Sequence, residues 1–148
     1  MGQLRSPSLA IVTSRFNEEI TRGLKKGVFQ ILSERQITAY QEFHAPGAFE
    51  IPLIAKALAK SGKYDGVICL GCVIKGDTAH FEFISLGASI GIQQVALETG
   101  VPIAFGILTT YTEEQAIVRS QEDPHNKGRE AALACIETIE ILQAIKNN

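Results

Sequence analysis

The residues best suited to chemistry lie between Gly71 and Glu82, where a predicted strand passes through a glycine turn into a predicted helix. In α/β proteins, ligands bind at the carboxyl ends of parallel strands, opposite helix N-termini whose N–H groups attract anions. An imidazole titrates near neutral pH and can transfer protons as a general acid or base. The segment therefore predicts a ligand site with His80 as the proton-transfer group and Gly76 and Thr78 as anion-binding residues.

Two further strand-to-helix turns are expected at the same edge of the sheet. Phe16 stands at the start of the first predicted helix, and Gly47 permits close approach before Phe49 and Glu50. Ring faces, a carboxylate and backbone N–H groups suit a flat polar heterocycle stacked on Phe16. Each residue also has an ordinary structural alternative: Phe16 as a hydrophobic staple, Glu50 as a partner of the helix dipole and His80 as a plain first-turn residue.

Two cations further along the chain, Arg119 and Lys127, are candidate anion partners, although single surface cations are more often simply solvated. We expect no metal site, because the three histidines are scattered and Cys69 and Cys72 fall on opposite sides of one predicted strand. No glycine-rich nucleotide-binding pattern follows the first strand, so no cofactor is predicted.

These residues are held by a predicted alternation of strands and helices. Apolar runs predict strands over 9–13, 67–74 and 103–108, and a second, more polar strand is predicted over 39–44. Helices are expected after a cap at Asn17, after a turn at Pro46-Gly47 through about Lys60, from about His80 to Thr99, and after a capping box at Thr112. A last helix carries Ala132, Cys135, Ile139 and Leu142 on one face. The pattern predicts a three-layer α/β sandwich with a four-stranded parallel sheet, flavodoxin-like, in a single domain over 1–148.

The third predicted helix is apolar around most of its circumference and contains Gly87 and Gly91. A helix of this kind must be buried on all sides, and a small domain has room to bury only one. The glycines would let neighbouring helices approach closely. We therefore expect a homo-oligomer with this helix at the interface.

Composition narrows the class of protein. The chain has 148 residues, 45% of them hydrophobic and 20% charged, with a formal net charge of -2. Weak acidity argues against nucleic-acid binding, and no apolar run approaches the length that spans a membrane. The N-terminus has no signal-peptide core, although Gly2 with Ser6 fits the short myristoylation pattern that chance often produces. A cytoplasmic protein that acts on small molecules is expected.

Six segments resemble the 6,7-dimethyl-8-ribityllumazine synthase family, in order and over nearly the whole chain: Ser14–Asn17, Pro46–Pro52, Gly71–Glu82, Phe105–Thr110, Glu114–Arg119 and Asn126–Gly128. The resemblance implies the penultimate step of riboflavin synthesis. In that step, 5-amino-6-(D-ribitylamino)uracil condenses with 3,4-dihydroxy-2-butanone 4-phosphate to give 6,7-dimethyl-8-ribityllumazine, with release of phosphate and water. The family uses no metal or redox cofactor, which suits chemistry that needs only positioning and proton transfer.

The resemblance also implies a role for each matched residue. His80 would transfer protons, and Phe16 would stack on the pyrimidine. The pyrimidine and ribityl pocket would be lined by Ala48, Phe49, Glu50, Cys72, Val73 and Ile74. The phosphate would be held by Asp77, Thr78 and Arg119. Three residues would reach the cleft from the adjacent subunit of a homopentamer, whose third helices surround the central axis: Phe105, Arg119 and Lys127.

Three departures from the family pattern matter. Lys75 stands where arginine is common, and the acidic Asp77 beside a phosphate site should point its carboxylate away. The link 120–125, with Pro124, replaces a glycine- and lysine-containing segment that accompanies sixty-subunit shells, so we predict a pentamer without a shell. Alternatives are a riboflavin synthase of the related pentameric type and a non-catalytic lumazine or flavin carrier.

Overall fold

The computed structural model describes residues 5–148, so Gly2 of the myristoylation pattern lies outside the described residues. Four strands form one parallel sheet in the order β2-β1-β3-β4: β1 Leu9–Ser14, β2 Tyr40–Ala45, β3 Gly66–Ile74 and β4 Ile103–Thr110. The central strands β1 and β3 are the most apolar, as expected for strands covered on both faces. This is the flavodoxin-like strand order without its last strand, and the predicted three-layer α/β fold is confirmed.

Five helices cover the two faces: α1 Glu18–Glu34, α2 Ile51–Lys60, α3 His80–Thr99, α4 Glu113–Arg119 and α5 Lys127–Lys146. One core joins the sheet to α2 and α3, and the other joins it to α1, α4 and α5. Cys69 belongs to the first core and Cys72 to the second, so the two thiols face opposite sides of β3 as predicted. None of the helices within residues 5–148 has the length and apolar character needed to cross a membrane.

The predicted turn at Pro46 and Gly47 leads into α2 through a 3₁₀ turn rather than directly. The chain stays extended at Gly47, forms a 3₁₀ turn over Ala48–Glu50, and becomes α-helical only at Ile51. Pro52 explains the delay, because proline fits only the first turn of a helix, where its missing N–H needs no intrahelical partner. The 3₁₀ turn keeps this segment at the edge of the sheet.

The capping box at the start of α4 is confirmed, with one change of partner. The Thr112 hydroxyl accepts a hydrogen bond from the Gln115 N–H at 3.2 Å. The Gln115 side chain, however, accepts from the N–H of Tyr111 at 2.9 Å rather than from that of the cap residue. The turn between β4 and α4 is thereby fixed at both ends.

The last helix, α5, extends beyond the core of the domain. Its core residues end at Ile139, and Leu142 is 42% exposed. Ile141 and Ile145 are exposed as well, because the final turns of α5 extend beyond the core. Leu142, predicted on the same helix face as Ala132, Cys135 and Ile139, therefore lies beyond the core.

Helix α3 is apolar on both its inner and outer sides. Ala88, Ile92 and Val95 are buried against the chain's own sheet and helices. On the outer side four large apolar residues are more than half exposed in the single chain: Phe83, Leu86, Ile90 and Leu97. A Cβ added to Gly91 would lie 2.8 Å from Cβ and Cγ of Pro52, so the neighbouring helix that this glycine admits is α2 of the same chain.

Candidate active site

A cavity of about 360 Å³ opens where β1 and β3 end and α3 begins. It is lined by Phe16, Asn17, Gly47, Ala48, Phe49, Glu50, Cys72, Val73, Ile74, His80 and Ile84. Eight of the predicted site residues are thus gathered from three separate turns. The gathering follows from the topology, because the carboxyl ends of neighbouring parallel strands meet at one edge of the sheet.

Two phenyl rings form walls of this cavity. Phe16 is 67% exposed and Phe49 is 57% exposed, so neither ring serves the protein core. Gly47 lets Phe16 and Glu50 lie close to the turn, since an added Cβ there would lie 3.3 Å from Cε2 of Phe16 and 3.0 Å from Oε1 of Glu50. Gly87 makes room from the side of α3, where an added Cβ would lie 2.9 Å from Cε1 of Phe49. The rings offer open faces to a planar ligand, beside one carboxylate.

Asn17 does not cap α1 with its side chain, which corrects the prediction. The residue adopts a left-handed conformation (φ 56°, ψ 55°), and its amide Nδ2 donates to the carbonyl oxygen of Cys72 at 2.9 Å. Its own backbone carbonyl accepts the first bonds of the helix. Asn17 therefore ties the turn that carries Phe16 to the end of β3. Asparagine tolerates the left-handed region better than other residues with a Cβ, and this was the available signal.

The floor of the cavity is the end of β3. Cys72 is buried there, and burial, helped by the charge of Glu113, raises the pKa of its thiol to about 11. A thiol with this pKa stays protonated at neutral pH and is a poor nucleophile. Cys72 can thus serve as an apolar part of the wall, alongside the half-buried Val73 and Ile74.

His80 is the first residue of α3 and is exposed at the mouth of the cavity. Its backbone N–H donates to the Thr78 hydroxyl at 3.3 Å, which links the preceding loop to the start of the helix. Asp77 and Thr78 are exposed in that loop and line neither this cavity nor the second one described below. In the single chain, the predicted phosphate residues stand outside the pocket that contains the imidazole.

A second cavity, of about 540 Å³, lies against β4, at the edge of the sheet. It contains the other three predicted residues, Phe105, Arg119 and Lys127. Asp123 and Glu130 also line it, so two negative charges stand beside the two positive charges of Arg119 and Lys127. The Arg119 guanidinium donates to the Gln115 carbonyl at 3.0 Å.

His125, an exposed residue at the end of the link 120–125, also lines this second cavity. The link is held by the buried side chain of Asn126, which donates to the carbonyl oxygens of Gly23 and Gln121 and accepts from the Arg129 N–H. Asn126 caps α5 by this last bond, which fixes Lys127 at the first position of the helix. An asparagine directly before a helical pattern was the signal available in the sequence.

The described residues contain no cluster of three or more potential metal ligands. The chain can be compared with solved structures and with a characterised relative. Two crystal structures of a GDP-L-fucose synthetase from Naegleria fowleri, one bound to NADP, match 97% and 99% of it. Their identities are 16% and 14%, their TM-scores 0.42 and 0.38, and the chain spans 49% of each. Likenesses this distant indicate neither function nor site.

The comparison with protein families is specific. Residues 6–143 match the family model of 6,7-dimethyl-8-ribityllumazine synthase. The chain is 56% identical to "6,7-dimethyl-8-ribityllumazine synthase 1" of Caulobacter vibrioides over 144 residues, which cover 96% of this chain and 94% of that relative. The chain therefore belongs to the 6,7-dimethyl-8-ribityllumazine synthase family and is a transferase of riboflavin biosynthesis.

Proposed function

We propose that the cavity at the ends of β1 and β3 binds 5-amino-6-(D-ribitylamino)uracil and that His80 transfers protons during its condensation with 3,4-dihydroxy-2-butanone 4-phosphate. The observation that carries this proposal is the convergence of eight predicted residues on one cavity of about 360 Å³. That volume lies in the range of small-molecule sites. The pyrimidine stacks on Phe16, and Phe49 and Glu50 bound the pocket from the opposite turn.

The chemistry asks little of the protein beyond positioning and proton transfer. The amine adds to the ketone, and loss of water from the adduct gives an imine. Removal of a carbon-bound proton then allows phosphate to leave, and the resulting enol becomes a ketone. The second nitrogen adds to this ketone and closes the ring with loss of a second water. His80 at the mouth of the cavity can deliver the proton that leaves with water and accept the one taken from carbon. We propose no metal or redox cofactor.

The phosphate half of the site is proposed to form between subunits. Asp77 and Thr78 lie on the loop before α3, whereas Arg119 lies in the cavity at β4. Phe105 and Lys127 share that second cavity and would reach the pyrimidine pocket of the neighbour. Two partial sites in one chain, together with the exposed apolar side of α3, support a homo-oligomer in which each pocket meets the β4 edge of the next subunit.

We further propose that this oligomer is a cytoplasmic homopentamer without a shell, built from one domain per chain. The outer residues of α3 would surround its axis, where Phe83, Leu86, Ile90 and Leu97 would be buried. A sedimentation coefficient of the size expected for five chains agrees with the proposal, and one of capsid size contradicts it.

The role of His80 is tested by replacing it with asparagine, which keeps a polar side chain without a titrating ring. With both substrates supplied, His80→Asn should lower kcat by roughly 10²- to 10⁴-fold, the usual contribution of general acid–base catalysis. His44→Asn is the matched control, because His44 is an exposed histidine of β2 that lines a different cavity. An unchanged kcat in a folded His80→Asn protein would overturn the assignment.

A further inference from the structure

The geometry points to Tyr111 as a positioning residue that braces the loop 76–79, which leads into His80. The inference rests on the proposed role of this loop in holding the phosphate of the second substrate. Tyr111 lies just after β4, and its side chain is 68% exposed. Core packing does not explain the position of so exposed a ring, but its contacts with Lys75 and Phe81 do.

The Tyr111 ring contacts residues on both sides of the loop. Nζ of Lys75, the last residue before the loop, lies 5.7 Å from the centre of the ring. The ring of Phe81, just after the loop and His80, has its centroid 6.0 Å from that of Tyr111, with the planes inclined at 47°. An ammonium group over a ring and a tilted ring pair are both favourable geometries. One side chain thus contacts both ends of the segment.

Tyr111 is itself anchored to the sheet and to α4. Its N–H donates to the Gln115 side chain at 2.9 Å, and the preceding carbonyl, of Thr110, accepts from the Lys75 N–H at 2.9 Å. The Thr110 hydroxyl donates to the Thr112 carbonyl at 2.9 Å. The ring is therefore held by the turn between β4 and α4, and it can transmit that rigidity to the loop.

The loop has little else to hold it. Residues 76–79 are all exposed, and nothing lies within 4 Å of a Cβ added to Gly76. Within the loop, the Thr78 hydroxyl accepts the bond from the N–H of His80. A segment that must be ordered when a ligand binds lowers the affinity for that ligand. A loop braced in advance at Lys75 and Phe81 avoids this cost.

The test compares Tyr111→Leu with Tyr111→Phe, which keeps the ring. Hydrogen exchange of the amides of residues 76–82 is measured in the assembled protein, and KM is measured for each substrate. Tyr111→Leu should speed exchange in this segment and raise KM for the butanone phosphate about tenfold, which corresponds to ~1.4 kcal/mol. The KM for the uracil should change much less, and Tyr111→Phe should resemble the unmodified protein in both measurements.

Tyr40→Leu is the matched control, because Tyr40 lies on β2, the edge strand opposite β4. Its ring is paired with that of Phe29 in α1, with the centroids 5.6 Å apart. Its loss should leave both exchange in 76–82 and KM unchanged. If hydrogen exchange in 76–82 is unchanged in Tyr111→Leu, the inference that Tyr111 braces the loop is overturned. A changed sedimentation coefficient of Tyr111→Leu also overturns it, because the ring would then act at a subunit contact. Faster exchange with an unchanged KM supports the brace and contradicts the proposed phosphate role of the loop.

Discussion

The substitution Gly87→Ala tests whether Phe49 is a positioned wall of the pyrimidine pocket. The added Cβ would lie 2.9 Å from Cε1 and 3.3 Å from Cδ1 of the Phe49 ring. Carbon atoms in ordinary contact are about 3.5 to 4.0 Å apart. The edge of the ring must therefore retreat by roughly 0.6 to 1.1 Å. It is free to do so, because Phe49 is 57% exposed and its ring can turn toward solvent.

The expected effect on stability is small. Alanine in the interior of a helix is favoured over glycine by about 1 kcal/mol, which offsets the cost of moving an exposed ring. Gly91→Ala gives the contrasting case, because its Cβ would lie 2.8 Å from two ring atoms of Pro52, which cannot rotate away. Overpacking of that kind costs about 1 to 3 kcal/mol. We expect an unfolding free energy near that of the parent for Gly87→Ala and a lower one for Gly91→Ala.

Gly87→Ala should affect the kinetics of the enzyme more than Gly91→Ala does, although it affects stability less. Absorbance of the lumazine product gives kcat and KM for each substrate. Gly87→Ala should raise KM for the uracil about five- to tenfold, equivalent to ~1 to 1.4 kcal/mol of lost binding, because the ring no longer closes the pocket. Gly91→Ala should leave that KM unchanged. If Gly87→Ala folds normally and binds the uracil as the parent does, the reasoning that places Phe49 in the pocket is refuted.

Three further predictions concern titration and the turn after β1. Because the pKa of Cys72 is raised to about 11, its alkylation by iodoacetamide should be negligible at pH 7 and should increase toward pH 11. Bound product should slow the alkylation, and rapid labelling at pH 7 would contradict the raised pKa. Burial raises the pKa of Cys135 from 9.0 to about 12, so the free energy of unfolding should decline as pH rises from 9 to 12. Over this range the urea midpoint of Cys135→Ala should decline less than that of the parent. Equal declines in the two proteins would exclude this thiol as a cause. Asn17→Gly keeps the left-handed backbone and loses only the bond to Cys72, so it should raise KM for the uracil. Asn17→Ala should raise that KM as well and should also lower the free energy of unfolding by about 1 to 2 kcal/mol. An unchanged KM in both variants would remove Asn17 from the site.

Much of the sheet and of the pocket could be predicted because both follow from local patterns. Apolar runs identified three strands, and the alternation of elements identified the more polar β2. Parallel order then placed the turns that carry Phe16, Phe49 and His80 at one edge. Asn17 was misread because asparagine is favoured both as a helix cap and in the left-handed conformation. Sequence spacing does not separate the two.

Other features depend on contacts between distant segments. The bracing ring of Tyr111 meets Lys75 because the pairing of β3 with β4 continues to Ile74 and Thr110, two residues beyond the predicted end of the fourth strand. His125 reaches the second cavity because Asn126 anchors its link to α1 through Gly23. Neither contact has a signal in local periodicity.

The central claim is that each site combines the pocket of one subunit with the β4 edge of another, and mixed assemblies test it most directly. His80→Ala damages only the pocket, and Arg119→Ala damages only the second cavity. The two variants are unfolded, mixed in equal amounts, refolded together and assayed at low butanone phosphate. Random assembly should restore about one quarter of the sites, so activity should approach a quarter of the parent's. Activity no higher than the average of the two separate variants would show that His80 and Arg119 serve one subunit and would contradict the account.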